Sequence, residues 1–148
     1  MVEVIAGDLF ASHAQTLVNA VNCRGVMGKG IALAFKRRYP DMFRDYQERC
    51  ARGEVRLGEP YLYRRATPPH IFNFPTKDHW RAPAKLDDII AGVHYLRERY
   101  AAWSVTSLAV PALGCGLGQL DWATTRPTLI DLFSEFAIPV TLYAPLEG

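Results

Sequence analysis

The chain has 148 residues, 49% of them hydrophobic, which suits one domain able to bury its own core. A net charge of +2 and a pI near 8.5 exclude attachment to nucleic acid through bulk charge, so any such contact must be local. Three cysteines (Cys23, Cys50, Cys115) without CxxC spacing, no run of about 18 apolar residues and no basic-then-apolar opening predict a cytoplasmic chain without disulfides, membrane span or export signal.

In chain order, residues 2–6 and 16–21 are short apolar runs bounded by turn signals, the pattern of strands buried on both faces. Residues 30–38 switch to helical spacing, with Ile31, Ala34 and Phe35 on one side and Pro40 as the stop. A second helix is predicted over 41–52, with Gly53 at the C′ position. Residues 59–64 and 70–74 are strands joined by the turn Thr67-Pro68-Pro69, and Pro75 closes the second. Leu86, Ile89, Ile90, Val93, Leu96 and Tyr100 trace the apolar stripe of an amphipathic helix. A buried strand over 105–112, a helix over 122–136 with Pro127 near its start, and a strand over 140–143 complete the chain. Strands alternating with helices imply an α/β domain spanning 1–148, with a mixed, largely parallel sheet covered on both faces.

Two glycine-rich loops follow buried strands: Gly25-Val26-Met27-Gly28-Lys29-Gly30, which runs into a helix, and Gly114-Cys115-Gly116-Leu117-Gly118. Glycine lets backbone N–H groups approach phosphate, and a helix N-terminus favours an anion, so the pair suggests a diphosphate cradle. Each loop alone reads more readily as an ordinary turn, and it is the pair that points to a ligand. Neither matches GxGxxG, and Lys29 precedes Gly30 where a phosphate-binding P-loop needs Ser or Thr. Asn19 and Asn22 close an apolar strand, so at least one amide there needs partners, either a ribose diol or its own backbone. Asp8 follows the first strand, as an acceptor for a base amino group or as a cap.

Lys77 sits just past the strand ending Asn73-Phe74-Pro75-Thr76. A lysine held in a cleft can act as nucleophile toward a sugar carbon or as general acid or base, and a solvated lysine is the plain alternative. Its loop also carries Trp80, Arg81 and Lys85, the blend of cation and ring that contacts single-stranded nucleic acid; for the Trp, packing on the domain edge is the alternative. His13, His70, His79 and His94 lack metal-ligand spacing, so no metal is predicted, nor is any cofactor. Cys23 and Cys115 are expected as small filler, and the absence of a GxSxG elbow argues against a serine triad.

Taken in order, Gly7-Asp8-Leu9-Phe10, Val18-Asn19-Ala20-Val21-Asn22, residues 25–31 and residues 111–117 resemble a macrodomain over nearly the whole chain. The resemblance implies a three-layer α/β/α sandwich that binds ADP-ribose. Residues 22–32 and Thr76-Lys77 resemble the branch that holds terminal ADP-ribose protein glycohydrolase and the DarG antitoxins, which remove ADP-ribose that DarT attaches to thymidine in single-stranded DNA. It implies that Asp8 and Leu9 hold the adenine, with Tyr143 nearby. Gly28, Lys29, Gly30 and Ile31, together with Pro111, Gly114, Cys115, Gly116 and Leu117, would wrap the diphosphate and distal ribose. Asn22 would address that ribose, and Lys77 would be the catalytic residue. The protein-deglycosylating relative has an acidic residue directly after Gly-Cys-Gly-Leu, where this chain has Gly118, with Asp121 three residues on; the departure favours the DNA branch. ADP-ribose and ADP-ribosylated single-stranded DNA are therefore the expected partners of a monomeric enzyme. DarG proteins usually carry a further C-terminal region that engages the toxin, so a cognate ADP-ribosyltransferase would be met through a region beyond Gly148. The rival readings are a hydrolase of protein-linked ADP-ribose or a related metabolite, and a reader without catalysis.

Overall fold

The computed structural model describes residues 1–145. Six strands form one sheet: β1 (Val2–Ile5), β2 (Thr16–Val21), β3 (Tyr61–Tyr63), β4 (His70–Pro75), β5 (Leu108–Val110) and β6 (Val140–Tyr143), in the order β1-β6-β5-β2-β4-β3. Every neighbouring pair is parallel except β3 with β4. The helices are α1 (Gly30–Arg38), α2 (Pro40–Ala51), α3 (Leu86–Arg99) and α4 (Trp122–Phe133).

Side-chain alternation along the strands assigns two cores. Val18, Phe72, Phe74, Leu108, Val110 and Leu142 face one side, where Ile89, Val93 and Leu96 of α3 and Leu129 and Phe133 of α4 cover them. Leu17, Val21, Ile71, Ala109 and Tyr143 face the other, against Phe35 of α1 and Met42 and Tyr46 of α2. The result is the three-layer arrangement expected, with β2 and β4 buried on both faces at its centre.

The differences from the sequence reading lie at element ends. Pro40 does more than stop α1: it is the first residue of α2, where a missing N–H is harmless and its fixed φ suits a helix. Gly53 follows α2 with φ +70°, as its C′ position requires. The strand expected over 105–112 is reduced to Leu108–Val110, and β3 to Tyr61–Tyr63, because only those residues pair with a neighbour. α4 ends at Phe133, three residues early; Phe136 still reaches the core, stacked on Tyr100 with ring centroids 4.9 Å apart.

In this sheet the carboxyl ends of β1, β2, β4, β5 and β6 share one edge, and the loops leaving them carry Asp8, Asn22, Lys77 and the second glycine-rich loop. An open parallel sheet presents its ligand crevice at this edge.

Candidate active site

β2 and β4 deliver two asparagines in register, Asn19 opposite Asn73, both fully buried. The Asn19 amide donates to Asn73 Oδ1 at 3.1 Å, and the Asn73 amide donates to the Tyr61 hydroxyl at 3.0 Å. Met27, from the first glycine-rich loop, sits beside this chain with its sulfur 3.8 Å from Asn19 Nδ2. Burial drives the Tyr61 phenol well above its ordinary pKa, so it stays neutral. A polar thread thus ties the sheet centre to the floor of the loop.

Asn22 is 6% exposed, and its side chain shapes the loop that follows. Its amide donates to the Val26 carbonyl at 2.7 Å, and its Oδ1 accepts from the Arg24 backbone N–H at 2.9 Å. The Tyr46 hydroxyl lies 2.7 Å from the Asn22 carbonyl and 2.8 Å from its Oδ1, sharing one proton between them. Of the two partners weighed for this amide, the local backbone is therefore satisfied already; one amide hydrogen remains for a ligand. Tyr46 was invisible as a site residue because it lies one helical turn from Met42 on the buried side of α2 and reads as core. The signal that could have found it is the hydroxyl itself, which a buried Tyr must pair.

The two glycine-rich loops face each other. A Cβ on Gly30 would lie 3.3 Å from Leu117 Cδ1, and Leu117 is 55% exposed at the rim. Gly28, Lys29 and Gly30 are exposed at the start of α1, where unsatisfied backbone N–H groups and the helix dipole favour an anion. Gly114 is buried: a Cβ there would come within 2.5 Å of Ile89 and 2.6 Å of Leu120, and its φ is +78°. Pro111 is likewise buried, whereas Gly116 is exposed and Cys115 half-buried, its thiol pushed up in pKa by burial.

Lys77 reaches across the cleft. Its Nζ donates to the Trp80 carbonyl at 2.8 Å and to the Leu117 carbonyl at 3.5 Å, so one side chain links the 77–85 loop to the second glycine-rich loop. Burial of the amine lowers its pKa from the ordinary 10.5. Asp78 holds the loop in place, accepting the Cys23 N–H on its carbonyl at 2.8 Å and the Arg24 guanidinium on its carboxylate at 3.0 Å. Trp80 is 43% exposed and stacks on His79 with ring centroids 3.8 Å apart; Arg81 is exposed beside it.

At the far side, Asp8 caps the short 3-10 turn of Leu9–Ala11, accepting from Phe10 N–H at 2.9 Å, yet remains exposed. Leu9 and Tyr143 belong to the buried cluster beneath it, 4% and 8% exposed. Gly118 is buried, and a Cβ there would lie 3.0 Å from that of Ala84, so no acidic side chain fits without a shift. The Asp121 carboxylate is instead engaged at the start of α4, accepting from the Thr124 hydroxyl at 2.9 Å. Among the described residues no three His, Cys, Asp or Glu side chains converge as a metal site.

Residues 18–129, which carry both glycine-rich loops and the strands between which Asn19 and Asn73 pair, match the family model of the macro domain, and the chain belongs to that family. Within it, the chain is 45% identical over its whole length to the DNA ADP-ribosyl glycohydrolase of Mycobacterium tuberculosis (strain ATCC 25618 / H37Rv), of which it covers 43%. It superposes on the macrodomain of Mycobacterium tuberculosis DarG with a TM-score of 0.94 and 45% identity, covering 99% of each chain. Thermosipho africanus DarTG in complex with ADP-ribose matches with a TM-score of 0.95 and 38% identity, over 99% of this chain and 42% of that one. The chain thus spans under half the length of the curated DNA ADP-ribosyl glycohydrolases it resembles.

Proposed function

We propose that this macrodomain binds ADP-ribose and hydrolyses the N-glycosidic bond that joins it to thymine in single-stranded DNA, with Lys77 as the catalytic residue. The observation that carries the reading is the position of Lys77 Nζ, held between the Trp80 and Leu117 carbonyls where the nucleic-acid-like loop meets the second glycine-rich loop. The DNA ADP-ribosyl glycohydrolase name of the M. tuberculosis relative supports the same reading.

In this account Asp8 accepts from the adenine amino group above Leu9 and Tyr143. Backbone N–H groups of Gly28, Lys29, Gly30 and Ile31 and of Cys115, Gly116 and Leu117 meet the diphosphate and distal ribose. Pro111 and Gly114 are buried and shape the second loop from beneath. Asn22 orients the ribose through its remaining amide hydrogen. Water is added across the glycosidic bond: hydroxyl goes to the anomeric carbon, and the thymine nitrogen leaves with a proton. Lys77 serves this either as a neutral amine that attacks the anomeric carbon or as an ammonium that protonates the leaving base. Trp80 and Arg81 contact the strand, the ring by stacking and the guanidinium by charge. A partner toxin, met through a region outside this chain, belongs to the same reading, as do a monomeric state and a cytoplasmic setting.

The lowered pKa of Lys77 separates its two roles. As nucleophile, the lysine must be deprotonated, so kcat rises with pH through a pKa below 10.5; as general acid, it must be protonated, so kcat falls through that same pKa. A pH profile of kcat on a thymidine-ADP-ribosylated oligonucleotide decides between them. Lys77→Ala is expected to cut turnover by about 10²–10⁴-fold and keep ADP-ribose binding; a Lys77→Ala protein with full activity overturns both roles.

A further inference from the structure

A second concave site lies at the opposite edge of the sheet, a cavity of about 320 Å³. Because β3 runs antiparallel to β4, the residues leaving β3, Arg64 and Arg65, lie beside the start of β4 and away from the glycine-rich loops. Arg38 and Tyr39, at the junction of α1 and α2, form the other wall, and Tyr63 lines the cavity between them. α1 therefore joins the two sites: it begins at Gly30 on the ADP-ribose cleft and ends at Arg38 in the cavity, nine residues or about 13 Å at a rise of ~1.5 Å each.

Three arginines line the cavity, and among the described residues none has a carboxylate within ion-pair distance. They are held by rings and carbonyls instead. Arg65 lies 4.7 Å from the centroid of Tyr39 and donates to the Pro69 carbonyl at 3.1 Å; Arg38 lies 4.3 Å from that of Phe10; Arg64 donates to the Trp103 carbonyl. The acidic residue in the lining, Asp41, is paired with Arg44. Guanidinium groups ordered without an acid present donors to an oxyanion at low reorganisation. Burial and the neighbouring Arg64 and Arg65 also lower the pKa of His70, a sign of the positive field there.

The near-zero net charge hides this asymmetry. Residues 24–66 contain eleven Lys and Arg against five Asp and Glu, whereas the rest of the chain has six against ten. Within the basic segment, Lys29 stands at the cleft and Lys36, Arg37 and Arg38 in the last turn of α1, with the uncharged residues 30–35 between them, while Arg24 is paired with Asp78. Within the cavity the cations Arg38, Arg64 and Arg65 stand beside the rings of Tyr39 and Tyr63, a lining that matches the backbone and bases of a single strand better than it matches a compact anion.

We propose that the Arg38–Arg64–Arg65 cavity binds phosphates of the single DNA strand whose modified thymidine occupies the ADP-ribose cleft, several nucleotides away along α1. The inference rests on DNA as the substrate. A single strand is more extended than the ~3.4 Å per nucleotide of a duplex strand, so about 13 Å of α1 corresponds to fewer than about four nucleotides, and the one added residue of a modified dinucleotide stops short of the cavity.

The test compares the unmutated protein with the double variant Arg38→Gln/Arg64→Gln, leaving Arg65 to hold its loop carbonyls, and with Arg64→Glu as a second variant. Binding of an unmodified oligonucleotide of about twelve nucleotides is expected to weaken roughly tenfold in the double variant, its salt slope to fall by about 2, and the loss to be larger in Arg64→Glu. Thermal midpoint, ADP-ribose affinity and turnover of the modified dinucleotide should not change. Unaltered oligonucleotide affinity in the folded variants, no oligonucleotide binding by the unmutated protein, or displacement of the oligonucleotide by an equal phosphate concentration of free mononucleotide would each overturn the proposal. If the modified dinucleotide is not turned over while oligonucleotide binding still depends on Arg38 and Arg64, the cavity stands and the substrate reading fails.

Discussion

In the loop 114–118 glycine is dictated by packing: Gly114 has φ +78° and no room beneath it because Ile89 and Leu120 are in the way, and Gly118 lies against Ala84. In the loop 25–30, Gly25 and Gly30 also sit at positive φ, but Gly28 has space. A Cβ on Gly28 would meet only Val26, at an ordinary 3.6 Å, and Gly28 is exposed. The two loops are similar in composition, but Gly114 and Gly118 serve to close the fold whereas Gly28 leaves a surface bare. Residues near a ligand therefore need not be chosen by the ligand. In the second loop the exposed Gly116 and Leu117 are the positions left for it.

The sharpest way to separate site from scaffold is Lys77→Ala, which should reduce kcat on the modified oligonucleotide by about 10²–10⁴-fold while the thermal midpoint and ADP-ribose affinity hold. Gly114→Ala belongs to the other side of the comparison. It should destabilise the fold by roughly 2–4 kcal/mol in denaturant titration, since strain at positive φ adds to a clash with the buried Ile89 and half-buried Leu120 side chains. An unchanged unfolding midpoint would break the distinction between the loops. Gly28→Ala should do the reverse: stability within about 0.5 kcal/mol, but ADP-ribose binding weakened about 5–20-fold by calorimetry, because a methyl group stands where the diphosphate approaches the backbone. The smallest effect is expected from Asp8→Ala. It loses one hydrogen bond to the adenine and one to Phe10 N–H, weakening ADP-ribose by about 1 kcal/mol in the same calorimetric measurement.

Much of this was legible in the chain because its signals were local. The apolar runs located all six strands, and the α3 stripe was complete enough to set its start at Leu86. The strand order was not legible, since parallel neighbours β2 and β4 are joined only through two helices and β3. Asn73 illustrates the same limit within the site. It reads as one polar residue in a strand, and its meaning appears only when the register sets it opposite Asn19 with Tyr61 beyond. Asn22 and Lys77 could be singled out in the sequence, Lys77 only through the family resemblance; Tyr46 and Asp78, which hold their loops in place, come from other elements through contacts 24 and 54 residues apart in the chain. The basic cavity was masked by the balance of charges, which sums to +2 only because the two halves of the asymmetry cancel.

Cleavage of DNA-linked ADP-ribose is measured by offering the protein a thymidine-ADP-ribosylated oligonucleotide and, in parallel, a glutamate-ADP-ribosylated protein, and following release of ADP-ribose. Release from the DNA, absent with Lys77→Ala, is the predicted result. Release from the modified protein alone, or ADP-ribose binding without release from either substrate, would contradict it.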